Sequence, residues 1–239
     1  MVKLLLQTLS DGGAAVRFVE FFNSRALVVL NICFIKKPSG YSLKQIETWF
    51  DKISGGVKQV WQVWQVWFQY GREPSTALYP KDLPELKYGL PEFSIEMPYQ
   101  PGDFTQINAD LNAVMISRAL RLLDIQPNDR VADLFCGLGN FSLPMAKSGA
   151  SVTGIEGLDS LVLRAKQNAL RNSCVKYASF EVADLFETDE QTVASWGVFD
   201  KMLLDPPRSG AYAVVKSLHA PYLPKKIVYV SCNPSTFAR

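Results

Sequence analysis

The chain has 239 residues, 48% of them hydrophobic and 20% charged, and a formal net charge of +2. That length suffices for one large domain or two smaller ones with real cores, and the composition is that of a globular chain rather than a disordered or fibrous one. So small a net charge excludes a polycation, and a nucleic-acid partner would need a local basic groove.

The four cysteines, Cys33, Cys136, Cys174 and Cys232, include no Cys-x-x-Cys pair, so their spacing supports neither zinc nor iron–sulfur ligation. The first seven residues hold too short an apolar run for a secretory signal. The longest apolar stretch, Ala26 to Ile35, is interrupted by Asn31 and is too short to span a bilayer. The expectation is a cytoplasmic chain with free thiols and no membrane partner.

In chain order, Ala26 to Leu30 reads as a buried strand. Tyr41 to Ile53 reads as a helix with Ser42 as its N-cap and Ile46, Trp49, Phe50 and Ile53 on one stripe. Val60 to Trp67 repeats the triplet Val-Trp-Gln. Its indoles could stack on RNA bases, but a strand packed in a sheet is the preferred reading, because apolar aromatics are mostly core. The Pro-rich segment 71–102 reads as a connection with short strands at most. A helix follows from about Ala109 to Leu123, and Ile125 to Asp129 has turn chemistry.

From Arg130 the pattern changes. Strands are expected at Val131–Leu134, Ser151–Ile155, Ala178–Val182, Phe199–Leu204 and Lys226–Val230. Helices are expected between them at Phe141–Lys147, Ser160–Asn172 and Ala211–Leu218, with one further short helix. Strands alternating with helices predict a parallel, doubly wound sheet of five strands.

Three motifs fall at the carboxyl ends of these strands, where open sheets bind ligands. Asp133-Leu-Phe-Cys-Gly-Leu-Gly-Asn-Phe141 is a strand end, a glycine turn and a helix start, which brings a charged cofactor close to main-chain N–H groups. Glu156 ends the next strand and can accept both hydroxyls of a ribose. NAD and S-adenosylmethionine sites share that pattern. S-adenosylmethionine is favoured, because Ser142 stands where a dinucleotide fingerprint wants a third glycine and Asp133 sets an anion beside the loop. Asp205-Pro-Pro-Arg208 forms a stiff loop in which Asp205 can bind donors; Arg208 is either a bidentate phosphate ligand or a surface salt-bridge residue. Ser231-Cys-Asn-Pro234 sets Cys232 on the same rim, placed as a nucleophile. Cys33 and Cys174 read as packing residues, Cys136 as packing beside the cofactor loop, and His219, the one histidine, as a helix-end or packing residue.

These motifs, together with Asp103-Phe-Thr-Gln-Ile-Asn108, resemble the RNA (uracil-5-)-methyltransferases, especially the branch acting on 23S ribosomal RNA. The resemblance is strong over about 90–239 and looser over 14–90. It implies a Rossmann-like S-adenosylmethionine-dependent methyltransferase sheet over 91–239, preceded by a smaller, RNA-facing α/β domain over 1–90. Gln106, Phe135, Gly137, Asn140, Glu156, Asp184 and Asp205 would contact the cofactor or line the active site, with Asp184 near the adenine. Arg208 and Asn233 would contact the RNA, and Cys232 would be the nucleophile, adding to carbon 6 of an extruded uracil so that carbon 5 can take a methyl group.

Relatives in that family continue past Ser-Cys-Asn-Pro with two more strands and a glutamate base, and many begin with a β-barrel and a 4Fe–4S centre. The expectation is therefore a fragment that binds cofactor weakly and does not turn over, without metal of its own. Three other readings stay open: an NAD-dependent oxidoreductase, an amino-group methyltransferase (which usually has an aromatic residue where Arg208 stands), and a non-catalytic RNA-binding remnant.

Overall fold

The computed structural model describes residues 2–11, 13–23, 27–56, 63–71, 73–82, 84–101, 109–233 and 235. Two compact units divide the chain: Met1–Leu86 with Tyr99–Ile107, and Lys87–Pro98 with Asn108–Arg239.

In the first unit the elements run α1 (Val2–Asp11), β1 (Val16–Asn23), β2 (Leu27–Phe34), α2 (Gly40–Gly56), β3 (Val63–Tyr70) and β4 (Thr76–Tyr79). The sheet order is β1-β2-β3-β4. β1 pairs with β2 antiparallel, and α2 carries the chain over so that β3 lies parallel to β2. Alternation decides what is buried where: Leu30, Ile32 and Phe34 from β2 meet Val66 from β3, Leu5 and Leu9 from α1, and Ile46 and Phe50 from α2 in one core.

The expected cap of α2 shifts by one turn. Ser39, not Ser42, receives the orphan N–H: its Oγ accepts from Ser42 N at 3.1 Å, and Ser42 is buried as the third helical residue. The cap must lie outside the helical backbone while reaching the third N–H, and Ser39 meets both conditions. The described part of the Val-Trp-Gln repeat is strand β3. Val66 is fully buried in the core, Gln65 Nε2 donates to Pro84 O at 2.6 Å, and Trp67 Nε1 donates to Gln65 Oε1 at 3.1 Å. Val60, Trp61 and Gln62 lie outside the described residues.

The second unit begins with a hairpin, β5 (Lys87–Leu90) and β6 (Ile95–Pro98), then α3 (Ala109–Leu123), β7 (Arg130–Leu134), α4 (Ser142–Lys147), β8 (Ser151–Glu156), α5 (Asp159–Arg171), β9 (Ala178–Val182), α6 (Glu190–Trp196), β10 (Lys201–Leu204), α7 (Tyr212–Ser217) and β11 (Lys226–Tyr229). The last five strands form one sheet in the order β11-β10-β7-β8-β9. Every neighbouring pair is parallel, the doubly wound, Rossmann-like arrangement expected from the strand–helix alternation. Its central strands are buried on both faces; Val131, Ala132, Asp133 and Leu134 are each fully buried. Strand order reverses between β7 and β10, which is where such sheets open a crevice at their carboxyl edge.

Candidate active site

Register places the candidate residues on one rim. Tyr229, Leu204, Leu134, Ile155 and Glu181 stand side by side across the sheet. The next residue along each strand is Val230, Asp205, Phe135, Glu156 or Val182. Asp205 and Glu156 thus stand at the same height, and Gly137 and Cys232 each follow two residues past that line.

The loop after β7 is anchored by its backbone. Phe135 N and Cys136 N both donate to Ile155 O, at 2.9 and 3.2 Å. Phe135 sits at φ 63° and Gly139 at φ 90°. The first is a rare conformation for a bulky side chain, a kind of backbone strain that clusters at functional sites. The second is where glycine is needed, since a side chain there would also press on Leu143 and Phe180 at 3.4 Å. Gly137, at φ 54°, has nothing within 4 Å of where its Cβ would stand, so the loop is open on that side. Glu156 spans this opening: Oε2 accepts from Gly137 N at 3.1 Å and Oε1 from Leu158 N at 3.2 Å.

Asp133 is the most perturbed carboxylate. It is fully buried; Ser142 Oγ donates to its Oδ2, and its Oδ1 is buried without a hydrogen bond. Burial pushes the carboxyl up to about 7; the Ser142 bond opposes this, and the charges of Asp205 and Glu156 add to it. Ser142 therefore replaces a glycine for a reason: its hydroxyl satisfies one oxygen of a carboxyl shut away from water. Burial also pushes Asp205 up to about 6 and holds the Cys136 thiol well above its usual value.

Asn140 has its carboxamide engaged within the protein. Its Oδ1 accepts from Tyr88 Oη at 2.9 Å and from Asn112 Nδ2 at 3.0 Å, and its Nδ2 donates to Asn112 Oδ1 at 2.9 Å. Asp184 is exposed and its Oδ1 accepts from Phe186 N at 2.9 Å, turning the chain so that the Phe186 ring lies 5.6 Å from that of Phe135. Arg208 and Asn233 are linked, with Asn233 Nδ2 donating to Arg208 O at 3.5 Å. Gln106 lies outside the described residues.

The cysteines separate cleanly: Cys33, Cys136 and Cys174 are buried, and Cys232 is exposed. β11 continues one residue past its last pair through Val230 N to Leu204 O at 2.8 Å. A tight turn then presents Cys232, with Asn233 N donating to Ser231 Oγ at 3.1 Å and Ser235 N to Asn233 Oδ1 at 3.2 Å. His219 follows α7 at the opposite end of the sheet, its Nδ1 2.9 Å from Ser217 O and its ring against Tyr222. Tyr88, Asn112, Asn168 and Phe186 are the neighbours that sequence reasoning did not identify. Only Phe186, two residues from Asp184, carried a local signal.

Among the described residues no group of three or more His, Cys, Asp or Glu is placed to hold a metal ion, and no helix is long and apolar enough to cross a membrane.

Residues 92–239 match the model of the tRNA (uracil-5-)-methyltransferase family. The chain is 57% identical over its whole length to the 23S rRNA (uracil(1939)-C(5))-methyltransferase RlmD of Neisseria lactamica, of which it covers 51%. It is 52% identical, over 81% of its length, to the enzyme of that name from Thiobacillus denitrificans, of which it covers 45%. The chain thus spans about half the length of the curated relatives it matches. Among solved structures, the Pyrococcus abyssi tRNA (uracil-54, C5)-methyltransferase in complex with S-adenosyl-L-homocysteine superposes with a TM-score of 0.67 at 21% identity, covering 100% of this chain and 58% of that one. At that identity the likeness speaks to the fold.

Proposed function

The chain belongs to the tRNA (uracil-5-)-methyltransferase family, and from that premise we propose that it carries the cofactor site and the nucleophile of an enzyme that methylates carbon 5 of uracil in 23S ribosomal RNA, in the cytoplasm. The observation that carries the reading is Cys232, the exposed cysteine, on the rim that also holds the glycine loop, Glu156 and Asp205.

The residues fit S-adenosylmethionine. Asp133 offers a buried carboxylate oxygen without a hydrogen bond, which suits a cationic ligand, and the open side of Gly137 leaves room for a ligand against the backbone. Glu156 would accept ribose hydroxyls, Phe135 and Asp184 would border the adenine, and Asp205 and Gln106 would contribute polar contacts. When bound, the cofactor supplies an electrophilic methyl group.

The protein's own part is to make carbon 5 nucleophilic. The Cys232 thiolate adds to carbon 6; the carbon 5–carbon 6 π pair moves onto carbon 5 and oxygen 4 as an enolate. After methylation, loss of the carbon 5 proton to a base restores the double bond, breaks the carbon–sulfur bond and frees the thiolate. Arg208 and Asn233, joined at the base of the cysteine turn, would hold the extruded nucleotide, with the guanidinium on a phosphate.

The test uses RNA containing 5-fluorouridine with S-adenosylmethionine. Fluorine cannot leave as a proton, so the methylated adduct persists whether or not a base is present. The expected result is a denaturation-resistant protein–RNA species, mapped to Cys232 by mass spectrometry and absent in Cys232→Ser. No adduct at saturating cofactor and RNA, or an adduct at another cysteine, overturns the assignment.

A further inference from the structure

We infer that Tyr88 and Asn112 are positioning residues for the cofactor, acting through Asn140; this rests on the S-adenosylmethionine reading above. The two come from elements far apart in the chain, Tyr88 from β5 and Asn112 from α3, and both end on the side chain of one loop residue.

The chemistry of the contact is specific. Asn112 and Asn140 exchange two amide hydrogen bonds, at 2.9 and 3.0 Å, a closed pair that fixes both carboxamide planes. Tyr88 Oη donates to the same Asn140 oxygen at 2.9 Å, filling its second lone pair. Asn112 is 2% exposed, and burial raises the Tyr88 hydroxyl far above its usual pKa, so it stays a donor at any working pH. With its oxygen doubly used and one N–H spent, the Asn140 amide serves the loop's shape before it can serve a ligand.

The same loop is held from its other flank by another asparagine. Asn168, 3% exposed on α5, donates through Nδ2 to Leu138 O at 3.1 Å. Asn172, at the end of that helix, accepts from Glu96 N at 2.9 Å and donates to Glu96 O at 2.8 Å, clasping β6. The hairpin β5–β6 is therefore tied on one strand to the glycine loop and on the other to the helix that holds that loop. Residues 137–140 include two positive-φ glycines; Gly137 N is held by Glu156 Oε2 and Gly139 N by Cys136 O, and the amide contacts fix the remaining points of the loop, the Leu138 carbonyl and the Asn140 side chain, before a ligand arrives.

Isothermal titration of the full chain with S-adenosylmethionine tests this as a double-mutant cycle. Tyr88→Phe deletes one donor and almost no volume, and the expected weakening is about fivefold. Asn140→Ala removes the whole hub and weakens binding by about tenfold or more. If Tyr88 acts through Asn140, the double variant binds no more weakly than Asn140→Ala alone. In Tyr88→Phe, amide hydrogen exchange at 137–140 rises in the ligand-free protein.

A role in stability alone gives a different result: the melting temperature falls in Tyr88→Phe while its affinity matches wild type, and that outcome overturns the inference. So does a double variant whose losses multiply. Wild-type protein that binds no S-adenosylmethionine would instead remove the functional reading, and this inference with it.

Discussion

The substitution Asp133→Asn separates what the fold wants from what the site wants. Asp133 is fully buried, with one oxygen on Ser142 and the other without a hydrogen bond. Its carboxyl is raised from 3.8 to about 7, chiefly by burial. The folded state therefore binds more protons than the unfolded chain between about pH 4 and 7, and by linkage this group lowers stability as pH rises through that window and levels off above it. By linkage a displacement of that size amounts to about 4 kcal/mol of stability lost across the window. The asparagine variant keeps the shape and an acceptor for Ser142 but never ionises. Its ligand-free form should equal wild type near pH 4 and exceed it at pH 8 by about 4 kcal/mol, or about 8–16 °C in melting temperature. Affinity for the cationic cofactor should move the other way. In wild type it strengthens as pH rises through about 7, because only the carboxylate attracts a cation. In Asp133→Asn it should be weaker and flat with pH. Thermal melts and calorimetric titrations from about pH 4 to about pH 8.5 measure both, a range that spans the window between the unfolded and folded titrations. A variant less stable than wild type at pH 8, or one that binds S-adenosylmethionine with wild-type affinity and pH dependence, refutes the reasoning.

Glu156→Gln keeps the length of the side chain but exchanges one acceptor for a donor at the Gly137 opening, and should raise the S-adenosylmethionine dissociation constant by about tenfold. Competition with adenosine locates the loss, since adenosine, which keeps the ribose, should weaken in parallel. Gly154→Ala would set a methyl 2.6 Å from the Phe180 ring and 2.9 Å from Cys136 Sγ, so a loss of about 1–3 kcal/mol is expected in urea unfolding. Lys201→Met removes the ammonium that lies 2.6 Å from the Asp129 carboxylate, both side chains mostly buried, and leaves that charge with the Gln126 N–H but no counter-ion. The expected cost is about 3 kcal/mol in the same unfolding assay, with calorimetric cofactor affinity unchanged because the pair lies at the amino end of β10, opposite the rim.

Much of the fold was legible from local physics. Apolar, β-rich runs alternating with amphipathic helices can be read because each run must bury its own faces, and the five parallel strands lie where that pattern put them. The helix Ala109–Leu123 coincides with its expected bounds, because Asp124, at φ 54°, ends it in a turn that local residue chemistry announces. Since an open parallel sheet presents every strand's carboxyl end on one edge, naming the residues after each strand was enough to bring Gly137, Glu156, Asp205 and Cys232 to a common rim.

Tertiary structure decided what those residues do to one another. That Asn140 has its amide spent on Tyr88 and Asn112, 52 and 28 positions away, follows from the packing of a hairpin and a helix and from no periodicity in the sequence. That burial pushes the Asp133 carboxyl up to about 7 depends on how completely the sheet and its helices exclude water, and that Cys232 alone among the cysteines is exposed depends on the turn that follows β11. Strand ends and glycines are properties of a few neighbouring residues; desolvation and long-range hydrogen bonds belong to the assembled fold.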